Sequence, residues 1–133
     1  MADAAFPAYT DLSVAVAKLR TSDTSLAPLP AWLHAIHQLG ISLGGAPMHL
    51  ASFVHVWHTL YSAILLLDRL QDHDELRASW LAALPGALQY QIALGAYAVA
   101  QRDLYDLADS IEPERATRLR ALWSSAVLEL AVG

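Results

Sequence analysis

The chain contains no cysteine. Disulfides, thiolate metal sites and cysteine nucleophiles are therefore excluded, and a reducing cytoplasm is the compartment this composition fits. Charge is nearly as scarce: only 16% of the 133 residues are charged, and no Asp, Glu, Lys or Arg occurs between Asp23 and Asp68. The net charge is −5 and the pI about 5.5, with no basic stripe, which argues against a nucleic-acid partner. The first residues, from Met1 to Pro7, lack a basic segment followed by an apolar run, so no secretory leader is expected. Sustained β alternation is also missing, and no internal repeat or low-complexity tract is present.

What is abundant is apolar side chain. Hydrophobic residues make up 56% of the chain and mean hydropathy is +0.35. Such a chain buries its apolar residues between helices, enters a membrane, or keeps an apolar face for a partner. Met48–Leu67 is long enough to cross a bilayer. It also carries His49, His55, His58, Thr59 and Ser62, and it runs into acidic residues without the Lys/Arg flank that fixes topology. A helix buried in a protein core is therefore expected rather than a membrane span. The length suffices for one real core, so residues 1–133 are read as a single helical domain.

Every readable period is helical. Thr10 is the expected N-cap of a first helix with Leu12, Ala15, Val16 and Leu19 on one stripe, and Lys18 and Arg20 in its last turn. Thr21–Pro30 reads as a connector, Pro30 as the first residue of a second helix, and Gly40 as its stop. Pro47 opens a long helix toward Asp72, about 26 residues or roughly 39 Å. Pro85-Gly86 starts another, ending near Asp109, in which Ala93, Gly95, Ala96, Ala98 and Ala100 allow close helix approach. Asp109 with Glu112 reads as a capping box before Pro113 and the last helix. There Leu119, Leu122, Trp123, Ala126, Val127 and Leu130 form the clearest apolar stripe. The expected fold is all-α, an antiparallel bundle of about five helices.

Chemistry concentrates at Leu65–Asp74. Asp68 and Asp72 lie one turn apart at a helix C-terminus, where the helix dipole disfavours negative charge, and Asp74 and Glu75 follow. Such oxygen ligands suit Mg²⁺, which takes one or two carboxylates plus substrate phosphates. The pair continues the stripe Val54, Trp57, Tyr61, Ile64/Leu65, so it is expected to face inward. The alternative is a solvated helix end neutralised by Arg69, His73 or Arg77. His34/His37 and His55/His58 have an i,i+3 spacing, but no Glu accompanies them, so they read as core or interface histidines. Arg115, Arg118 and Arg120 with Glu112 and Glu114 read as a solvated face, and the four tryptophans Trp32, Trp57, Trp80 and Trp123 as packing anchors. No nucleophile elbow or Ser-His-Asp order is recognisable, and the catalytic residues are unassigned.

Leu60–Asp74 resembles the first aspartate-rich region of the trans-isoprenyl diphosphate synthases (polyprenyl synthetases), Asp-Asp-x-x-Asp after an apolar helix. Asp68 stands at the first position, Arg69 at the second and Asp72 at the third. Gly44-Gly45-Ala46-Pro47 falls where that family has Gly-Gly-Lys-Arg-x-Arg-Pro, and the small-residue helix Gly86–Ala108 and the final helix follow in the family's order. The resemblance covers the N-terminal half of a synthase. It implies an isoprenoid-synthase-like helical fold in which Asp68 and Asp72 ligate Mg²⁺ holding a prenyl diphosphate, assisted electrostatically by Asp74 and Arg77. The departures are Arg69, the missing Lys and Arg of the turn, and the absence of a second aspartate-rich motif from these residues. Two readings follow. One is part of a prenyltransferase that needs a companion polypeptide or a C-terminal half. The other is a non-catalytic assembly or docking subunit, a homo-oligomer or a partner-bound chain, in which Arg69 takes the cation's place.

Overall fold

A computed structural model describes residues 9–22, 31–42, 44–76 and 78–132. Among the described residues there are six helices and no strand: α1 Tyr9–Ser22, α2 Ala31–Ser42, α3 Pro47–Gln71, α4 Ser79–Ala82, α5 Gly86–Asp109 and α6 Pro113–Val132. The protein is all-α. The helix beyond the expected five is α4, a single turn between the acidic end of α3 and Pro85.

Prolines open the long helices as their fixed φ dictates. Pro47 begins α3 behind Ala46, and Pro113 begins α6. α1 already starts at Tyr9, so Thr10 is inside the helix rather than its cap. Thr21 and Ser22 are helical, while the rest of the expected connector, including Pro30, lies outside the described residues, as does Arg77. Gly40 does not stop α2. The helix runs on to Ser42, and the reversal is made by Gly44 at φ +85, with the Gly45 N–H donating to the Gly40 carbonyl at 2.9 Å. Gly40 serves packing instead, since a Cβ there would sit 2.6 Å from Leu50 Cδ2 on α3. Asp109 makes no capping box. It is the last residue of α5, and its carboxylate accepts from Arg120 Nη2 at 2.7 Å, tying α5 to α6.

The most extensive packing is between α3 and α5, with α1 laid against both, α2 on α3 and α6 on α5. One core cluster joins Val16 and Leu19 of α1, Ala63 and Leu66 of α3, Leu81 of α4, and Ile92, Ala93 and Ala96 of α5. A second joins Val56 and Leu60 of α3, Ala100 and Leu104 of α5, and Trp123 of α6. The small residues of α5 permit this. Ala93, Gly95, Ala96 and Ala100 are buried, whereas Ala98 faces out. Thr59 and Ser62 are buried on α3 because their hydroxyls donate to the carbonyls four residues back, His55 at 3.0 Å and His58 at 2.8 Å. By length and composition α3 could cross a membrane, with a mean hydropathy of 1.5 in its most apolar window, 39% of which is buried against the other helices.

Candidate functional site

α3 ends in a Schellman-type turn. The Asp72 N–H donates to the Asp68 carbonyl and the Asp74 N–H to the Arg69 carbonyl, each at 2.9 Å. His73 between them holds φ at 57, the left-handed conformation that glycine usually supplies at this position. The turn fixes where the acidic side chains go. Asp68, Asp72, Asp74 and Glu75 are all exposed, so the expected inward-facing pair is not formed. The cause is the helical wheel. The buried face of this part of α3 carries Leu60, Ala63 and Leu66, and Asp68 follows Leu66 by two positions, about 200° round the helix. Trp57, Tyr61, Ile64 and Leu65 are a half-buried flank of the core face rather than its centre.

Nor do Asp68, Asp74 and Glu75 share one recess. Asp68 stands at the rim of a groove of about 520 Å³ between α3, α5 and α6, whose walls include Leu60, Ile64, Tyr97, Val127 and Leu130. Asp74 and Glu75 line a separate recess with Arg69. Arg69 donates to the Glu75 carbonyl at 3.4 Å, and among the described residues neither Asp68 nor Asp72 has an ion-pair partner. Among the described residues no three His, Asp or Glu side chains are placed to hold a metal ion. Two carboxylates one turn apart meet the least that Mg²⁺ takes from protein when phosphates complete its shell. The Gly44–Pro47 turn lies at the opposite end of α3 from Asp68, about 32 Å away along the axis, so one diphosphate does not touch both.

The histidines are brought together in a way the i,i+3 spacing hinted at but did not establish. His34 and His37 from α2 and His55 and His58 from α3 line one cleft of about 380 Å³. The signal was present as two i,i+3 pairs on successive helices joined by a tight glycine turn. A neighbouring cleft of about 610 Å³ sets His49 and His55 of α3 opposite Asp103 and Asp106 of α5. Asp103 is already paired with Arg102 at 2.9 Å.

The last helix departs most from expectation. Of its twenty residues only Ala116 and Trp123 are buried. Trp123 packs on Trp57 with ring centroids 5.3 Å apart, and Phe53 meets Trp57 edge-on. Leu119, Ala126 and Val127 are half-buried, but Leu122 and Leu130 of the apolar stripe are uncovered. The solvated-face pairs form as expected, Arg115–Glu112 at 3.6 Å and Arg118–Glu114 at 3.2 Å. Trp80 lies under the Lys18 ammonium at 4.6 Å, and the Trp32 side chain is outside the description. No family model, no curated protein and no solved structure matches this chain.

Proposed function

We propose that this chain is a non-catalytic helical assembly subunit, an antiparallel bundle that docks another helix on the uncovered face of α6. The observation that carries this is α6 itself, a 20-residue helix with two buried side chains, on which Leu122 and Leu130, about 80° apart round the helix, are both exposed. Helical stability in proteins comes mainly from packing an apolar face, and contiguous exposed apolar surface of a few hundred Å² commonly marks an interface. The placing of Asp68 in one recess and of Asp74 and Glu75 in another, and the distance from Asp68 to the Gly44–Pro47 turn, also favour docking over chemistry. Sedimentation velocity on the full chain is expected to show reversible association in the micromolar range. A monomer at every concentration, with no partner recovered on α6, defeats the proposal.

A second reading is favoured by one observation, the position of Asp68 at the rim of an apolar groove. In that reading the chain keeps an isoprenoid-synthase-like half fold and contributes to a prenyltransferase with a companion polypeptide. Asp68 and Asp72 hold Mg²⁺ on a prenyl diphosphate whose chain lies along Leu60, Ile64 and Val127, and Asp74 and Arg77 add electrostatic support. Calorimetry with a prenyl diphosphate is expected to give heat only when Mg²⁺ is present, and Asp68→Asn to weaken binding at least tenfold, the loss of one charge-assisted contact. Absence of heat with wild-type chain, alone and in its assembled form, removes this reading.

A further inference from the structure

Resting on the docking reading above, we infer that the occupant of the α6 face is a second copy of this chain, packed antiparallel about a two-fold axis at Leu122. Arg115, Leu119, Leu122, Ala126 and Glu129 are separated by alternating steps of four and three residues, the spacing of a coiled-coil seam. Leu119 and Ala126 are half-buried against the core, and Leu122 between them is 69% exposed. The seam is thus continuous with the core on one side and open on the other. Charge selects the partner and its direction. Arg115 and Glu129 lie seven residues to either side of Leu122, both exposed. Antiparallel copies centred on Leu122 set Arg115 of each against Glu129 of the other, two opposite-charge contacts related by the two-fold. Parallel copies would set Arg115 on Arg115 and Glu129 on Glu129. Glu129 has no ion-pair partner among the described residues, and Arg115 holds only the exposed contact to Glu112 at 3.6 Å, which is weak enough to share. Leu128 lies about 120° round the helix from Leu122, outside the seam.

Because the chain has no cysteine, single cysteines report the geometry cleanly. Under mild oxidation Leu122→Cys is expected to give a covalent dimer, while Glu129→Cys and Leu128→Cys each do not. A mixture of Arg115→Cys and Glu129→Cys chains is expected to cross-link. In sedimentation, Leu122→Glu weakens self-association at least about a hundredfold by setting like charges on the axis, and Leu128→Glu leaves it unchanged. Arg115→Glu and Glu129→Arg each weaken it about tenfold, and the two together return it to within about threefold of wild type. Helix content by circular dichroism confirms that each variant is folded. Self-association that survives Leu122→Glu, or a Glu129→Cys dimer, overturns the antiparallel pairing and leaves docking through another surface standing. A wild-type chain that stays monomeric and binds no partner removes both.

Discussion

Trp123→Ala is expected to destabilise the chain by about 3–5 kcal/mol in urea unfolding, the range for deleting a large buried aromatic. Trp123 is 3% exposed and is one of two buried side chains on α6. It fills the space among Val56, Leu60, Ala100 and Leu104, against Trp57. Its removal therefore leaves a cavity at the junction of α3, α5 and α6. With domain stabilities of about 5–15 kcal/mol, that is a large fraction of the whole. One feature moves the value toward the lower end. The indole Nε1–H is buried without an acceptor, and an unsatisfied donor itself costs about 1–3 kcal/mol. Trp123→Phe keeps a ring and deletes that donor, so a loss of only about 1 kcal/mol is expected from it. Hydrogen exchange should show the Trp123→Ala loss first across residues 113–132, because α6 leans chiefly on α5. Self-association should fall with it, since the seam around Leu122 is held in place by the same helix. A Trp123→Ala chain as stable as Trp123→Phe contradicts this packing.

The elements themselves were written plainly in the sequence. Helical periodicity with prolines at helix starts placed α3 from Pro47 to within one residue of its observed end, and α5 from Gly86 to Asp109. These are local facts: a proline's φ, a small-residue run, a turn of glycines. The errors share a different character. Gly40 reads as a stop until Leu50 is known to lie where its Cβ would be. Asp109 reads as a cap until Arg120, eleven residues on, takes its carboxylate. The stripe ending in Asp68 and Asp72 reads as the core face because apolar residues occupy it, yet α3 joins α5 in the core clusters through Val56, Leu60, Ala63 and Leu66. A periodic stripe gives the direction of one apolar face, and only the neighbouring helix decides which flank of it is covered.

The same distinction applies to function. Asp68 and Asp72 were legible as residues suited to a hard cation, but convergence is a tertiary property, and both stand exposed at the end of α3 while Asp74 and Glu75 line another recess. The α6 stripe was equally legible, and its value lay in what the fold failed to cover. Leu119, Leu122 and Ala126 belong to one apolar stripe of six residues, and of these three Leu122 alone stays largely in solvent. Arg115 and Glu129 gained meaning only once that open edge was located, since each otherwise reads as ordinary surface charge.

Gly95→Leu is the other substitution with a large expected effect, about 3 kcal/mol or the detachment of α1. A Cβ at Gly95 would stand 2.9 Å from Leu12 Cδ1 and 3.0 Å from both Cδ2 and Cγ. The obstruction is therefore the branch of the leucine, not merely its tip. Gly95→Ala sets two effects against each other. The helix interior gains about 1 kcal/mol from alanine propensity, while Leu12 must give way, so a net change within about 1 kcal/mol is expected. Leucine adds three further carbons to the same space, and α5 does not yield because its opposite side is locked on α3. The strain falls on α1, which buries Val16 and Leu19 in the core, each residue of this size contributing about 1.5–3 kcal/mol. Hydrogen exchange over residues 9–22 should rise before any other segment. Adding Leu12→Ala to Gly95→Leu should recover about 1–2 kcal/mol, although Leu12→Ala alone is destabilising; that opposite sign is the signature of a direct contact. Strictly additive effects of the two substitutions place α1 elsewhere on the molecule.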